Sequence, residues 1–443
     1  VVWTFAIAIV FLGLAAALFG HWLEKAGPRK AGVAAAIFWG GGLMVTSLGV
    51  SLHQLWLIWL GAGVIGGIGL GLGYISPVST LIKWFPDRRG LATGMAIMGF
   101  GGGAMIGMPL GDLLISNYGV GETFFIMGLI YLIAMTIGAF GYRVPAEGWK
   151  PEGWNPVAKK TNNMISTSHV HVSNAHKTPQ FWLLWGVLCL NVSAGIGVLS
   201  VAKPMFQEIA ASSFDPLIIG AIATGFGALL SLANIIGRIF WASSSDFLGR
   251  KLTYAIFFSL GTALYLAAPW AGINQYIATF VLITLVILTM YGGGFATIPA
   301  YLADIFGTQH VGAIHGRLLT AWSLAGIVGP MLISYLREYQ LSMGIPTDQA
   351  YNSSFKILAL LLVGGFILNL LVRPVNKKFG MTQEELKAEQ GALKGDQSNS
   401  KIEATVTNTS IQKFVLPLAW IVVGVPITLG ILNALQKGII IFL

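Results

Sequence analysis

Long apolar runs alternate with short polar segments along the whole chain, and this pattern predicts its secondary structure. Twelve runs are long enough to cross a bilayer as helices, which takes about 20 mostly apolar residues. Many are too long and too continuous for the strands of a membrane barrel, so the pattern predicts an all-α integral membrane protein. The predicted spans are 2–20, 32–52, 55–82, 91–116, 121–142, 180–207, 216–241, 252–269, 275–303, 317–336, 355–372 and 414–436.

The composition excludes the common soluble classes. Of the 443 residues, 55% are hydrophobic and only 10% are charged, whereas a soluble chain carries about 25% charged residues. The lone Cys189 lies within an apolar run and cannot form an intrachain disulfide. The lipid bilayer is therefore the expected surrounding of most of the chain.

Lysine and arginine residues are concentrated in alternate loops. They fill the loops after the first and third spans and the segment 143–178, whereas 53–54, 117–120 and 208–215 contain none. This distribution predicts that the basic loops are cytoplasmic, in a multi-pass protein of the cell membrane (the inner or plasma membrane of a bacterium). Because the net charge of +9 is spread between spans, rather than forming one basic surface, no nucleic-acid partner is predicted.

Two parts of the sequence repeat one another. Glu24 and Gly27 in the first loop correspond to Asp246 and Gly249, at an offset of 222 residues. A repeat of this length indicates a duplicated helix bundle, which is the common plan of secondary transporters. The second copy begins with the span 180–207, whose counterpart would precede the first residue. We therefore expect two six-helix bundles, with the first helix missing from this chain, followed by one extra helix.

This repeat predicts the domain organisation of a protein that we expect to be monomeric. Residues 1–142 form an N-terminal bundle with helices two to six, and residues 179–373 form a C-terminal bundle with helices seven to twelve. A cytoplasmic linker, 143–178, joins the bundles. A polar linker, 374–412, leads to an extra transmembrane helix at 413–443.

The repeated loops combine an acid, a glycine and basic residues. Glycine permits a tight turn between two helices, and the acid at a helix end can pair with bases across the same face of the protein. Such pairs would hold the two bundles together in one state and break in another. The alternative is that these loops only set the topology. The candidate latch residues are Glu24, Gly27, Arg29, Asp246, Gly249 and Arg250.

Glycines also recur at four-residue spacing inside two neighbouring spans. This spacing predicts close packing between helices rather than contact with a ligand. The residues are Gly63, Gly67 and Gly71 in the third span, and Gly99, Gly103, Gly107 and Gly111 in the fourth.

Arg238 is the principal candidate for a functional charge inside a span. It lies in the span 216–241, which contains no acidic residue, and Asn234 precedes it by one helical turn. A charge inside a span is costly and normally faces a cavity or a partner. An unpaired guanidinium in a cavity is a receptor for a carboxylate. The alternative is that Arg238 extends to the membrane surface.

Several stretches resemble the oxalate/formate antiporter family of the major facilitator superfamily, which is similar to the monocarboxylate porters. They include Gly67-Ile-Gly-Leu-Gly-Leu-Gly-Tyr74, Tyr291-Gly-Gly-Gly-Phe-Ala-Thr-Ile-Pro and the repeated loops. The resemblance implies that Arg238, on the eighth helix, binds the anion. It also implies that Asn234, Tyr74, Tyr291 and Phe100 line the cavity, although ordinary helix packing is the alternative for the last three. The extra helix at the end resembles the small single-span subunit found with some members, here fused.

The chain departs from this resemblance at one position. The oxalate exchanger carries a lysine on its eleventh helix, whereas the corresponding stretch here offers Trp322 and no lysine. A site with one cation suits one carboxylate, which favours a monocarboxylate such as formate, lactate or pyruvate over oxalate. Trp322 and Phe100 would then form an apolar wall. A second cation on the missing first helix is the alternative.

The predicted function is secondary active transport of a small organic anion by alternating access. Exchange against another anion and symport with a proton both remain open, and His315 and Asp304 are the titratable candidates in the spans. The alternative function is a carboxylate sensor that uses a transporter fold without transporting. The motifs HExxH and GxSxG and the P-loop are absent from the sequence, so we predict no enzyme activity, no cofactor and no metal site.

Overall fold

The computed structural model describes residues 2–145, 149, 151, 164–166, 168–386, 388, 428–429, 431–432, 435–436 and 441. Within these residues, ten helices are long and apolar enough to cross a membrane. A further helix of 30 residues, Arg89–Tyr118, occupies the predicted span 91–116. The prediction of an all-α membrane protein is therefore confirmed. Most of the predicted extra helix and most of the polar linker lie outside the described residues.

The helices before residue 142 form the first bundle. They are α1 (Val2–Ala26), α2 (Pro28–Ser51), α3 (Leu55–Ile58), α4 (Gly66–Trp84), α5 (Arg89–Tyr118) and α6 (Val120–Gly141). A π-helical stretch, Trp59–Ile65, joins α3 to α4, so the three segments form one span. Within the bundle α2 packs closely on α6, because a Cβ atom at Gly40 would lie 2.7 Å from the carbonyl oxygen of Gly128.

The second bundle follows a connecting segment that contains the short helix α7 (Val172–Ala175). Its helices are α8 (Pro179–Ser200), α9 (Ala202–Ile209), α10 (Ile219–Leu248), α11 (Arg250–Ile273), α12 (Ile277–Phe306), α13 (Val311–Leu318), α14 (Thr320–Ser342) and α15 (Asn352–Leu371). Only Leu319 separates α13 from α14, and together they form one span.

Two glycines end the helices that carry the predicted latch acids. Gly27 follows α1 with a φ of 86°, and Gly249 follows α10 with a φ of 85°. Residues with side chains rarely adopt this region, whereas glycine does so at little cost. The next helix begins directly after each turn, with Pro28 at the start of α2. The two turns place Glu24 and Asp246 at the same end of the protein.

This end of the protein carries the basic turns, and we call it the basic face. It comprises the α1–α2, α4–α5, α10–α11 and α12–α13 turns, the segment after α6 and the end of α15. The bundles meet chiefly through two helix pairs, α1 with the α13–α14 span and α5 with α10, and α12 also packs on α5. Among the described residues, the hydrogen bonds and ion pairs between bundles lie at the basic face or near the middle of the spans. The bundles are therefore joined on the basic side.

Glycine allows both helix pairs to approach closely. In α5, a Cβ atom at Gly94 would lie 2.6 Å from the carbonyl oxygen of Arg238 in α10. In the other pair, a Cβ atom at Gly316 of α13 would overlap the backbone of Ala16 in α1. Small residues at these positions bring the two backbones into direct contact.

The two predicted glycine stripes behave differently in the structure. In α4 the prediction of close packing is confirmed, since a Cβ atom at Gly67 would lie 2.6 Å from the carbonyl oxygen of Ala8 in α1. In α5 it is wrong for Gly99 and Gly103, where a Cβ atom would meet nothing within 4 Å among the residues that the structure describes. The reason is that α5 turns a different face toward α10, the face that contains Gly94.

Large apolar side chains cover the outside of the spans. Ile137, Phe240 and Leu360 are between 58% and 69% exposed. Exposed apolar side chains of this size on helices with few charges are suited to contact with lipid tails. The outer surface therefore agrees with a multi-pass membrane protein.

Candidate functional site

Arg238 lies inside the protein, where α5 and α10 meet. It is 3% exposed, so the structure does not fit the alternative in which it extends to the membrane surface. Its Nε donates to Oδ1 of Asn234 at 3.1 Å, and its Nη1 donates to the carbonyl oxygen of Ile97, in the other bundle, at 3.0 Å. Its guanidinium also lies over the ring of Phe295, 5.4 Å from the centroid. Within the described part of the chain, no carboxylate forms an ion pair with it.

The glycine run after Tyr291 explains how Asn234 reaches this position. A Cβ atom at Gly292 of α12 would lie 2.5 Å from Oδ1 of Asn234. A larger residue there would displace the amide and push α10 away from α12. Asn234 in turn holds the guanidinium of Arg238, because its side-chain oxygen accepts the Nε–H bond.

Four aromatic rings form a cluster between the bundles near Arg238. The centroid of Tyr74 in α4 lies 5.7 Å from that of Phe100 in α5 and 6.5 Å from that of Trp322 in α14. Phe295 in α12 completes the cluster, 5.4 Å from Tyr74 and 4.9 Å from Trp322. Phe100 is the most exposed member, at 37%. The structure thus brings together three residues that the sequence places in the cavity wall.

His315 joins this aromatic cluster from α13. Its Nε2 lies 3.3 Å from the hydroxyl of Tyr74, and the residue is 1% exposed. Nδ1 of His315 is buried and has no hydrogen-bond partner among the described residues. Buried polar atoms normally have partners, so this nitrogen is a polar position available to a ligand.

Tyr291 completes the predicted substrate site from α12. It is 6% exposed, and its ring packs directly on Gly195 of α8. Tyr291 also lies near Arg238 and Trp322. The six predicted substrate-binding residues are therefore grouped around Arg238 and the aromatic cluster.

At the basic face, Glu24 of α1 contacts the start of α13 in the other bundle. Its Oε1 accepts a hydrogen bond from the backbone N–H of Ala313 at 3.1 Å. Its Oε2 lies 3.2 Å from Nδ1 of His310. A negative charge is stabilised near the free N–H groups at a helix N-terminus. We call Glu24, His310 and Ala313 the first clamp.

Asp246 of α10 makes the equivalent contact with the start of α5. Its Oδ1 accepts from the backbone N–H of Gly90 at 2.9 Å, and its Oδ2 accepts from that of Leu91 at 3.0 Å. Arg250, one turn later in the chain, pairs with the same carboxylate. Asp246 is therefore paired with Arg250 of its own bundle and also accepts hydrogen bonds from the start of α5 in the other bundle.

Asp304 at the end of α12 extends this contact. Its Oδ2 lies 3.2 Å from Nε of Arg250, and its Oδ1 lies 3.0 Å from Nη1 of Arg89 in the first bundle. We call Asp246, Arg250, Asp304 and Arg89 the second clamp. Asp304, considered from the sequence as a titratable candidate for coupling, is thus engaged in ion pairs at the basic face.

Arg29 is the predicted latch residue that the structure does not bring into either clamp. Within the described chain it makes no ion pair. It lines a surface groove together with Trp22 and Phe140, which belong to the first bundle. A latch role for Arg29 remains a prediction without a supporting contact.

Arg89, His310 and Phe295 were not identified as site residues from the sequence. The first two could have been found from the repeat, because Arg89 corresponds to His310 at an offset of 221 residues. Arg89 is the first residue of α5 and His310 directly precedes α13, and the start of each helix binds an acid from the opposite bundle. Phe295 carries no sequence signal that distinguishes it from ordinary packing.

The sequence matches the Major Facilitator Superfamily over residues 1–231 and 193–442. It is 26% identical to the oxalate:formate antiporter of Oxalobacter formigenes over 376 residues, which are 83% of this chain and 82% of that protein. It is 24% identical to apicoplast pyruvate carrier 1 of Toxoplasma gondii over 408 residues, covering 78% of this chain and 70% of that protein. The fold resembles that of the E. coli fucose:proton symporter, with a TM-score of 0.59 and 11% identity over 86% of this chain and 97% of that one. The missing first helix and the fused final helix stay predictions, whereas the all-α membrane fold and the resemblance to oxalate/formate and monocarboxylate transporters are confirmed, and the chain belongs to the Major Facilitator Superfamily.

Proposed function

We propose that this protein is a secondary transporter that moves a small carboxylate anion across the membrane by alternating access. Membership of the superfamily supports transport. The observation that carries the choice of substrate is Arg238, which is buried between the bundles with no acid paired to it in the described chain.

Arg238 retains hydrogen-bond donors for a ligand. A guanidinium carries five N–H groups, and the described residues accept from two of them, through Asn234 and the carbonyl of Ile97. A buried charge without a counter-ion is costly, so binding an anion here removes part of that cost. A planar carboxylate fits a guanidinium through two parallel hydrogen bonds. Asn234, Tyr74 and Tyr291 would orient the bound carboxylate.

The surroundings of Arg238 favour a substrate with one carboxylate. Phe100, Phe295 and Trp322 present apolar surfaces beside it, and Trp322 stands where the oxalate exchanger has a lysine. The similarity to an oxalate:formate antiporter and to a pyruvate carrier agrees with a small carboxylate. Formate, lactate and pyruvate are therefore the first candidates, and oxalate is the second.

The two clamps give the proposed transport cycle its moving parts. Both join the bundles at the basic face, so access to the substrate from that side requires the first and second clamps to separate. Rocking of one bundle against the other is the usual means of alternating access. By the positive-inside rule the basic face is proposed to be cytoplasmic, in the plasma membrane of the cell, with the monomer as the working unit.

The coupling mechanism has one structural candidate. His315 contacts Tyr74 within the proposed site, and an imidazole can take up and release a proton. Symport requires such a group in the site, whereas exchange needs only a second anion. Uptake driven by a pH gradient into vesicles that contain no anion would support symport, and uptake only into vesicles preloaded with carboxylate would support exchange.

Uptake of labelled carboxylates into proteoliposomes tests the proposed function. Formate, lactate, pyruvate and oxalate are each supplied with and without internal carboxylate. Arg238→Ala should lower uptake by about 100-fold, because truncating a buried charged partner typically costs 2–5 kcal/mol. Arg238→Lys should restore it only in part, because lysine cannot form the paired bonds.

The matched control is Arg88→Ala, which removes a side chain that is 69% exposed at the basic face and should leave uptake unchanged. Thermal unfolding must show that each variant is folded. Wild-type uptake by a folded Arg238→Ala protein would overturn the site. Binding of a carboxylate by the wild-type protein with no uptake of any of the four would favour the sensor instead.

A further inference from the structure

Three side chains that can bind a metal ion meet at the basic face. They are His21 and Glu24 of α1 and His310 before α13, and one ligand atom from each lies within 4.8 Å of the others. Within this group Oε2 of Glu24 and Nδ1 of His310 are already 3.2 Å apart. Imidazole nitrogens with a carboxylate oxygen are ligands that Zn²⁺ and related ions prefer.

His21 provides a second, independent observation. Its Nδ1 is buried and has no hydrogen-bond partner among the described residues. Buried polar nitrogens normally have a partner, and an ion held beside Glu24 and His310 would supply one. His21 is not a member of either clamp, so its position is not explained by the contact between the bundles.

We infer that His21, Glu24 and His310 form a binding site for a divalent transition-metal ion such as Zn²⁺. Zinc bonds to nitrogen and oxygen are about 2.0–2.2 Å long, which places tetrahedral ligand atoms about 3.3 Å apart. Small side-chain rotations bring the three atoms to that spacing. Either water or His171 fills the fourth coordination position. The ring centroid of His171 lies 4.8 Å from that of His310. Lys25 lies near His21 and opposes a cation, so we expect micromolar affinity.

The ligands come from both bundles, and this links the metal to conformation. His21 and Glu24 belong to the first bundle and His310 to the second, so the three meet only while the bundles are joined at the basic face. A ligand that binds one conformation shifts the equilibrium toward it. Bound metal should therefore stabilise the state in which the basic face is closed.

Binding of ZnCl₂ to the purified full-length protein, stripped with a chelator, tests the site. Isothermal titration should show one Zn²⁺ bound, and Zn²⁺ but not Mg²⁺ should raise the thermal unfolding midpoint. His21→Ala is the decisive variant. It removes a proposed metal ligand whose Nδ1 makes no hydrogen bond with the described residues, so the substitution breaks no hydrogen bond at that atom. It should weaken binding about tenfold or more, in the range seen when a metal site loses a supporting group, and His310→Ala should do the same.

The control is His53→Asn, which removes an exposed histidine at the opposite face and keeps a residue that tolerates its φ of 55°. It should not change Zn²⁺ binding. If the folded His21→Ala and His310→Ala proteins both bind Zn²⁺ as the wild type does, or if the wild type binds none, the inference is wrong. These measurements use no carboxylate, so their outcome is independent of the proposed transport function.

The link to conformation is tested with a single cysteine. In a Cys189→Ala background, Thr93→Cys places a thiol at a position that is fully buried near the start of α5. Alkylation then requires the basic face to open, and Zn²⁺ at a hundred times its Kd should slow it by up to about 100-fold. Adding His21→Ala should remove this protection. An alkylation rate that Zn²⁺ does not change would show that the metal does not hold the bundles together.

Discussion

Glu24 and Asp246 make the same contact from opposite bundles. Asp246 lies 222 residues after Glu24, and each carboxylate accepts a hydrogen bond from the backbone at the start of a helix in the other bundle. Glu24 meets α13, whereas Asp246 meets α5. The basic face is therefore held at two points that the internal repeat relates, and opening it has to release both.

Neutralising these acids should open the basic face. Glu24→Gln and Asp246→Asn each replace a charged acceptor by a neutral one, and hydrogen bonds to charged groups contribute about 1.5–3 kcal/mol. Each variant should raise the alkylation rate of Thr93→Cys by about tenfold. The two effects should multiply, because the clamps share no residue. Glu122→Gln, at an exposed position on the opposite face, is the control, and an unchanged rate in the double variant would show that the acids do not hold the bundles.

Two glycines of α5 should respond differently to the same substitution. In Gly94→Ala the new Cβ atom would lie 2.6 Å from the carbonyl oxygen of Arg238, whereas in Gly99→Ala it would meet nothing within 4 Å. Overpacking of this kind costs about 1–3 kcal/mol. Gly94→Ala should therefore lower the thermal unfolding midpoint by about 2 °C or more, and Gly99→Ala should keep or raise it. Equal midpoints for the two variants would argue against the close α5–α10 contact.

Trp322 should control the charge of the preferred substrate. Trp322→Lys adds a second cation to the site that holds Arg238, and this change should shift the ratio of oxalate to formate uptake toward oxalate by about tenfold. Trp322→Phe, which keeps an aromatic ring and adds no charge, should leave the ratio unchanged. Competition between the two labelled anions in proteoliposomes measures the ratio directly. A shift of the same size in both variants would assign the effect to packing rather than to charge.

His315 should support carboxylate binding through its contact with Tyr74. Its Nε2 lies 3.3 Å from the hydroxyl of Tyr74, and a buried hydrogen bond contributes about 1 kcal/mol. His315→Ala should therefore raise the apparent KM for the carboxylate by about fivefold, and His315→Gln, which keeps a polar side chain, should raise it less. His53→Asn, at the opposite face, should leave the KM unchanged. A wild-type KM in a folded His315→Ala protein would show that this contact does not support substrate binding.

The pattern of apolar runs was sufficient to predict the spans that the structure describes, since a bilayer imposes length and hydropathy on each helix separately. The repeat was sufficient to identify Glu24 and Asp246, the two acids that bind helix starts in the opposite bundle, because they stand at equivalent positions of one motif. Arg238 could be identified because a charge within a span is rare. These are local properties that a single stretch of sequence contains.

The partners of these residues could not be predicted in the same way. Glu24 meets His310, which lies 286 positions away, and this contact depends on how two bundles dock. The same applies to Gly94 and Gly99, which are identical residues of one helix. Gly94 packs against the backbone of Arg238, whereas Gly99 faces open space among the described residues. Which face of α5 meets α10 follows from the rotation of the whole helix, and the uniform glycine content of this span does not reveal that rotation.

The π-helical stretch Trp59–Ile65 has a consequence for the third span. Each residue of an α-helix turns the chain by about 100°. The wider turns of the π-helical stretch hold one extra residue, and this extra residue sets the direction of every side chain that follows in the span, including Tyr74. A single deletion within 59–65 would leave the hydropathy and the loops of this span nearly unchanged, yet it would rotate Tyr74 away from Phe100 and His315. An insertion or deletion in this stretch, far from the pocket, can therefore change the specificity of this protein. A sequence alignment that places a gap on the wrong side of 59–65 would assign the wrong residue to the position of Tyr74.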